Sequence, residues 1–220
     1  MIKAERLKKT VVAAAVMAMC TFVALGCGSD KGSTDKADNK KVVVKDEDVN
    51  DSNLLTGMHH VKINVKDYGT IEVELDADTA PITVTNFVDL ANEGFYDGLT
   101  FHRIIDGFMI QGGDPLGNGT GGSDEEIKGE FSENGVENKI SHTRGTISMA
   151  RSAENDSASS QFFIMQSDGT YLDGSYAGFG HVTSGMDIVD KICKDVKVQD
   201  ANGTVLSEDQ PVIEKIEVVD

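Results

Sequence analysis

A chain of 220 residues with 39% hydrophobic content is long enough to bury one globular core with extensions. With 23 glycines, no Trp and only 6% aromatic residues, it suits short strands and tight turns better than a helical bundle. A formal charge of −17 disfavours nucleic acid, whose phosphates need Lys and Arg, and disfavours electrostatic adhesion to anionic lipid.

Lys3, Arg6, Lys8 and Lys9 precede an uncharged apolar run from Val11 to Leu25, then small Gly26 and Cys27. Residues 1–26 therefore read as a secretory signal, the alternative being a retained membrane anchor near the lower length limit for a span. Ala24-Leu25-Gly26-Cys27 resembles the lipobox of bacterial lipoproteins, although the family prefers Leu where Ala24 stands. That resemblance implies lipidation of Cys27 and anchoring to the outer face of the cytoplasmic membrane or to a periplasmic membrane face. With Cys20 lost and Cys27 lipidated, Cys193 is left alone, so no internal disulfide is expected. Its neighbours Ile188, Val189 and Ile192 mark it as a core thiol rather than a nucleophile.

Residues 27–55 follow as a polar tether rich in Lys, Asp, Asn, Ser and Gly, in which Val42-Val43-Val44 is the sole apolar cluster and a short edge strand the alternative reading. The folded domain is expected over 56–220. Val61, Ile63 and Val65, then Ile71, Val73 and Leu75, alternate with polar residues about the turn Lys66-Asp67-Tyr68-Gly69, which predicts a β-hairpin. Pro81 opens a helix with Val84, Phe87, Val88 and Ala91 on one face, stopped by Gly94. Strands are predicted at Thr100 to Ile105, Phe108 to Gly112, Thr146 to Ala150, Gln161 to Gln166, Gly178 to Val182 and Val212 to Val219, with a second helix at Met186 to Cys193. Many short strands and two isolated helices predict a mainly β fold, a closed antiparallel barrel capped by helices.

Several separated segments carry a more specific signal: FHRIIDGFMIQGGD (Phe101 to Asp114), Asn86-Phe87, GNGTGG (Gly117 to Gly122), RGTISMAR (Arg144 to Arg151), SQFFI (Ser160 to Ile164), Leu172-Asp173-Gly174 and Phe179-Gly180-His181-Val182. Together they resemble the cyclophilin-type peptidyl-prolyl cis-trans isomerases over Met58 to Asp220. The resemblance implies a closed eight-stranded antiparallel barrel with two helices, no cofactor and no metal. It implies Arg103 and Gln111 as catalytic residues, and His102, Phe108, Met109, Arg151, Phe163, Tyr171, Leu172 and Tyr176 as substrate-binding ones.

The chemistry follows from amide resonance. Rotation about X-Pro meets a barrier of about 20 kcal/mol because conjugation must be broken, yet no bond to another atom need form. A twisted prolyl nitrogen regains a lone pair, so a donor such as Arg103 acts only where it lowers the barrier. Phe108, Met109, Phe163 and Leu172 would hold the ring, with Gln111 and the backbone near Arg151 bonding the substrate chain. By itself Arg103 would read as a surface strand residue, and the three aromatic and Met positions as ordinary core.

Expected partners are proline-containing segments of secreted or surface proteins, with the membrane reached through the lipid and the domain monomeric. Tyr171 stands where many family members carry a Trp that helps bind cyclosporin, so weak cyclosporin binding is expected. The rival reading is a chaperone or adaptor that binds proline peptides without catalysis.

Other patterns carry less. Gly117-x-Gly119-x-x-Gly122 fits the dinucleotide fingerprint, but no helix-periodic run follows and Asp124, Glu125 and Glu126 would repel a pyrophosphate. His59 and His60 are strand neighbours that face opposite ways, which disfavours a shared metal. Ser159, Ser160 and His142 have no GxSxG elbow to make a hydrolase.

Overall fold

The computed structural model describes residues 53–220 and the backbone of Val42–Val43; the expected signal segment, Cys27 and most of the expected polar tether lie outside the described residues. The expected alternation produces the first hairpin. Strands β2 (Met58–Val65) and β3 (Gly69–Asp76) pair antiparallel and bury Val61, Ile63, Val65, Ile71, Val73 and Leu75 on one face. Asp67 takes a positive φ of 64° in the turn, a conformation Asp tolerates better than most side chains.

Helix α1 (Pro81–Asn92) begins on proline and buries Thr83, Val84, Phe87, Val88 and Ala91. Ala80, which precedes it, has no side chain able to cap the free amides. The Glu130 carboxylate, 2% exposed, takes over that role by accepting the Ile82 and Thr83 N–H groups at 3.0 and 2.8 Å.

The remaining strands are β4 (Phe101–Ile105), β5 (Met109–Gly112), β7 (Thr146–Met149), β8 (Phe162–Met165), β9 (Gly178–Ser184) and β10 (Ile213–Val218), with helix α2 (Met186–Asp195) between the last two. They form one antiparallel eight-stranded sheet in the order β10-β2-β3-β9-β7-β8-β5-β4. The sheet curls, but its edges β4 and β10 do not pair along their length. They meet through the Thr100–Val212 bridge, with flanking bonds from Phe101 N–H to Pro211 O at 2.9 Å and Ile213 N–H to Leu99 O at 2.8 Å. The barrel is therefore less completely closed than the sequence predicts.

A small second sheet joins β1 (Val42–Val43) in parallel to β6 (Glu125–Glu126). Residues assigned to a flexible tether thus include one short strand. Leu55, at the predicted end of the tether, donates its N–H to Thr85 Oγ1 at 2.9 Å and so belongs to the folded domain.

Strand alternation divides the apolar residues into two groups. Inward-facing Ile104, Ile110, Ile147, Phe162 and Ile164 join the main core, where Phe87 meets Tyr96, Phe162 and Phe179 at ring distances of 5.1, 5.4 and 5.2 Å. Phe108, Met109, Phe163, Met165 and Leu172 form a separate cluster on the outer face. That outer cluster is the floor of the site.

Candidate active site

The hydrogen-bonded register of the sheet aligns four polar and aromatic side chains in one row. Arg103 on β4 pairs with Gln111 on β5, Gln111 with Phe163 on β8, and Phe163 with Ser148 on β7. Because neighbouring strands are about 5 Å apart, residues far apart in sequence become adjacent on one face. Phe108 and Leu172 reach the same face from the turn before β5 and from a 3₁₀ turn at Thr170–Leu172.

Arg103, Phe108, Met109, Gln111, Ala150, Arg151, Phe163, Leu172 and Tyr176 line an open socket. Gln111, Ala150 and Arg151 also border a more polar recess that continues past Gly119, Gly121, Glu126 and Gln161. The cleft thus joins an apolar socket to a polar channel, as a peptide with one apolar anchor and a hydrogen-bonding backbone requires.

Arg103 is only 4% exposed and is tightly oriented. Its Nε donates to Asn202 O at 2.9 Å, Nη1 to Gln111 Oε1 at 3.1 Å and Nη2 to Asn202 Oδ1 at 3.3 Å. A guanidinium has five N–H donors, so two remain for a substrate. Burial lowers the Arg103 pKa from its ordinary value, opposed by Tyr176, Asp200 and Tyr171, but an arginine stays charged in such a setting. Gln111 is fixed in turn, its Nε2 donating to Gln161 Oε1 at 2.9 Å, and Gln161 Nε2 donates to Gly121 O at 2.8 Å.

Arg151 forms part of the socket wall. Its guanidinium lies 5.0 Å from the Phe131 ring centre and 4.9 Å from that of Tyr176, and its Nε donates to Ser175 O at 2.9 Å. Tyr171 is half exposed and stacks on Phe108 at 6.1 Å and 26°, so it stands at the rim outside the socket.

His102 departs from expectation. As the strand neighbour of Arg103 it is absent from the socket lining, and it is 3% exposed with neither ring nitrogen hydrogen-bonded. Burial lowers its pKa to about 4, against the pull of Asp114, so it is neutral at physiological pH. It packs beside the loop at Gly119.

Sequence reasoning missed Ala150, Gln161 and Asn202. Asn202 lies in a turn held by Asp200, which accepts the Asn202 and Thr204 N–H groups at 2.9 and 3.1 Å. A turn-forming Asp-x-Asn-Gly was visible there, but nothing local tied it to Arg103, 99 residues earlier.

The glycine-rich stretch binds no phosphate in this geometry, because the Asp114 carboxylate already accepts the N–H groups of Leu116, Asn118 and Gly119 at 2.8, 3.0 and 2.6 Å. His59 and His60 pair with carboxylates instead, His59 Nδ1 lying 2.9 Å from Asp220 and His60 Nε2 3.4 Å from Glu74. Among the described residues no group of three His, Cys, Asp or Glu is placed to hold a metal ion.

Residues 60–218 match the family described as cyclophilin type peptidyl-prolyl cis-trans isomerase/CLD. This chain belongs to that family. Peptidyl-prolyl cis-trans isomerase B of Bacillus subtilis is 44% identical over 144 residues, covering 66% of this chain and 92% of the relative. Peptidyl-prolyl cis-trans isomerase of Helicobacter pylori is 51% identical over 126 residues, 56% of this chain and 74% of the relative. Peptidyl-prolyl cis-trans isomerase A of Dickeya dadantii is 46% identical over 133 residues, 56% of this chain and 66% of the relative.

Among solved structures, a Cryptosporidium parvum cyclophilin-type isomerase superposes with a TM-score of 0.65 at 29% identity, covering 74% of this chain and 99% of that one. The same isomerase in the presence of the dipeptide Ala-Pro gives 0.64. This cyclophilin is thus a peptidyl-prolyl cis-trans isomerase with a mainly β, curled-sheet fold.

Proposed function

We propose that this cyclophilin accelerates X-Pro isomerisation in exported polypeptides by gripping the prolyl ring in the outer-face socket and donating from Arg103 to the twisted prolyl nitrogen. The observation that carries this reading is a buried guanidinium, oriented by Asn202 and Gln111, with two donors left over beside an apolar socket. In the planar amide the nitrogen lone pair is delocalised and accepts nothing; at the twisted geometry it accepts a charge-assisted hydrogen bond. The stabilisation is then confined to the top of the barrier.

Phe108, Met109, Phe163 and Leu172 hold the ring while the preceding carbonyl swings. Gln111 keeps Arg103 in place and offers its amide to the substrate chain. Removal of ring-binding water also strengthens the Arg103 bond, because the local dielectric falls.

The setting we propose is extracytoplasmic: cleavage after Gly26, lipidation of Cys27 and a single domain tethered to a membrane, where it meets proline-containing segments of newly exported chains. The acidic surface leaves the lipid as the membrane contact. Replacement of Cys27 by Ser should release the chain from membranes and abolish incorporation of a labelled fatty acid.

The deciding experiment follows exchange of an Ala-Pro peptide by NMR with wild type and Arg103→Ala. Loss of most of the acceleration by a folded variant supports the mechanism. Peptide binding by the wild type with exchange at the uncatalysed rate would instead identify a proline-binding chaperone on the same fold.

A further inference from the structure

Behind the socket runs a hydrogen-bonded chain, buried at His142 and Ser148 and open to solvent at Asp173, that the proposed isomerisation does not use. His142 is fully buried. Its backbone N–H and its Nδ1 lie 2.7 and 2.9 Å from Asp173 Oδ1, while Asp173 Oδ2 accepts the Ser141 hydroxyl at 2.6 Å. On the other side of the ring, Nε2 lies 2.9 Å from Ser148 Oγ. A carboxylate can only accept, so Nδ1 carries the proton and Nε2 accepts from the Ser148 hydroxyl.

The order Asp173, His142, Ser148 is that of an acyl-transfer triad. Ser148 is fully buried, however, and no substrate carbonyl can reach it. The ring faces point to another use. His142 stacks behind Phe163 at 6.0 Å and 19°, and meets Tyr176 edge-on at 6.5 Å and 76°. Both neighbours line the socket. Its backbone carbonyl accepts the Gly169 N–H at 2.7 Å, while Asp173 is bound to its ring. Gly169 and Asp173 flank the turn that carries Tyr171 and Leu172, so both ends of that turn are held by one residue.

We propose that His142 is a positioning residue of the isomerase site, which through Asp173 and Ser148 fixes Phe163, Tyr176 and the Leu172 turn in the shape that grips the prolyl ring. The proposal rests on the socket reading above. Burial lowers the His142 pKa, opposed by Asp173, so the neutral ring that this bonding pattern needs is the resident form at neutral pH. The prolyl ring is held in planar and twisted states alike. A loosened socket therefore removes uniform binding and raises KM with little change in kcat, the reverse of losing the Arg103 donor.

The test is steady-state exchange of an Ala-Pro peptide by the wild type, His142→Phe, Asp173→Ala and Asp173→Asn, each checked for folding by circular dichroism. His142→Phe keeps a ring against Phe163 but no hydrogen bond, and should raise KM about fivefold or more with kcat within about twofold; Asp173→Ala should do the same. Asp173→Asn retains an acceptor for His142 and can donate to Ser141, so its KM should return to within about twofold of the wild type. Unchanged KM in folded His142→Phe and Asp173→Ala, or a loss falling on kcat alone, would overturn the proposal.

Should the variants not fold, ¹⁵N NMR of the wild-type imidazole decides. The Nδ1–H tautomer, with resonances that shift on saturation by the Ala-Pro peptide, supports the role. The other tautomer, or signals indifferent to peptide, refutes it. An inactive wild type would sink the isomerase mechanism, while the tautomer and its response to peptide would still judge this proposal.

Discussion

Arg103 Nε donates to the backbone carbonyl of Asn202 at 2.9 Å, a contact between residues 99 apart in sequence. A second bond from Nη2 reaches the Asn202 side chain at 3.3 Å, so the turn at Asn202 grips the arginine along one edge of its plane. The catalytic donor proposed above is therefore aimed by a loop that never touches the socket.

Asn202→Ala should keep the backbone bond and lose the side-chain one. A hydrogen bond to a charged group is worth about 1.5–3 kcal/mol, but this one is long and partly exposed, so a loss of about 1 kcal/mol in transition-state stabilisation is expected. That corresponds to roughly fivefold in kcat with KM little changed. Peptide exchange measurements on the variant check it.

Phe162 and Phe163 are neighbours on β8 with opposite destinations. Phe162→Ala removes a fully buried ring from the aromatic core and should lower stability by about 3–5 kcal/mol in urea unfolding. Phe163→Ala should be the milder of the two for stability and the more damaging for peptide affinity. Equal effects of the two variants on both readouts would contradict the two-cluster division.

The Asp114 carboxylate predicts acid sensitivity. Burial alone would raise its pKa, but the N–H groups of Leu116, Gly119, Asn118 and Gly121 outweigh that and hold it below the ordinary value. The unfolded chain therefore binds a proton at a higher pH than the folded one, so the contribution is complete above about pH 5 and is lost as pH falls through the folded pKa. Asp114→Asn should flatten this part of the stability curve, measured by urea unfolding between pH 6 and acid.

Cys193 is 7% exposed, and burial pushes its pKa up to about 12, with Asp106 and Asp190 adding to the rise. The thiolate that reacts with iodoacetamide is thus scarce as well as hidden. Peptide mapping should find Cys193 unlabelled in the native protein at pH 8 and labelled in denaturant.

Tyr171 sits at the rim, half exposed and stacked on Phe108. Cyclosporin should inhibit this cyclophilin weakly, with isomerase activity intact. Tyr171→Trp should tighten inhibition by about tenfold, equivalent to about 1.4 kcal/mol. Tight inhibition of the unmodified chain would show that the rim aromatic does not govern the interaction.

Local periodicity by itself determined the hairpin at Val61 to Leu75, helix α1 from Pro81 and the places of the later strands, because each depends on neighbours within one turn or one pleat. The motifs FHRIIDGFMIQGGD and SQFFI, read together, also determined the family and most of the socket, including Arg103, Gln111 and Phe163. What they could not determine was anything that depends on two distant segments meeting.

Glu130 as the cap of α1, Asn202 as the clamp on Arg103 and His142 as the backing of Phe163 all arise from contacts across tens of residues. His102, which the motif placed in the site, is instead buried without hydrogen-bond partners and absent from the socket lining. Incomplete closure between β4 and β10 likewise follows from sheet curvature, which no single strand encodes. Sequence sets which face of a strand is apolar; register across the curled sheet decides which side chains share that face, and so where the chemistry sits.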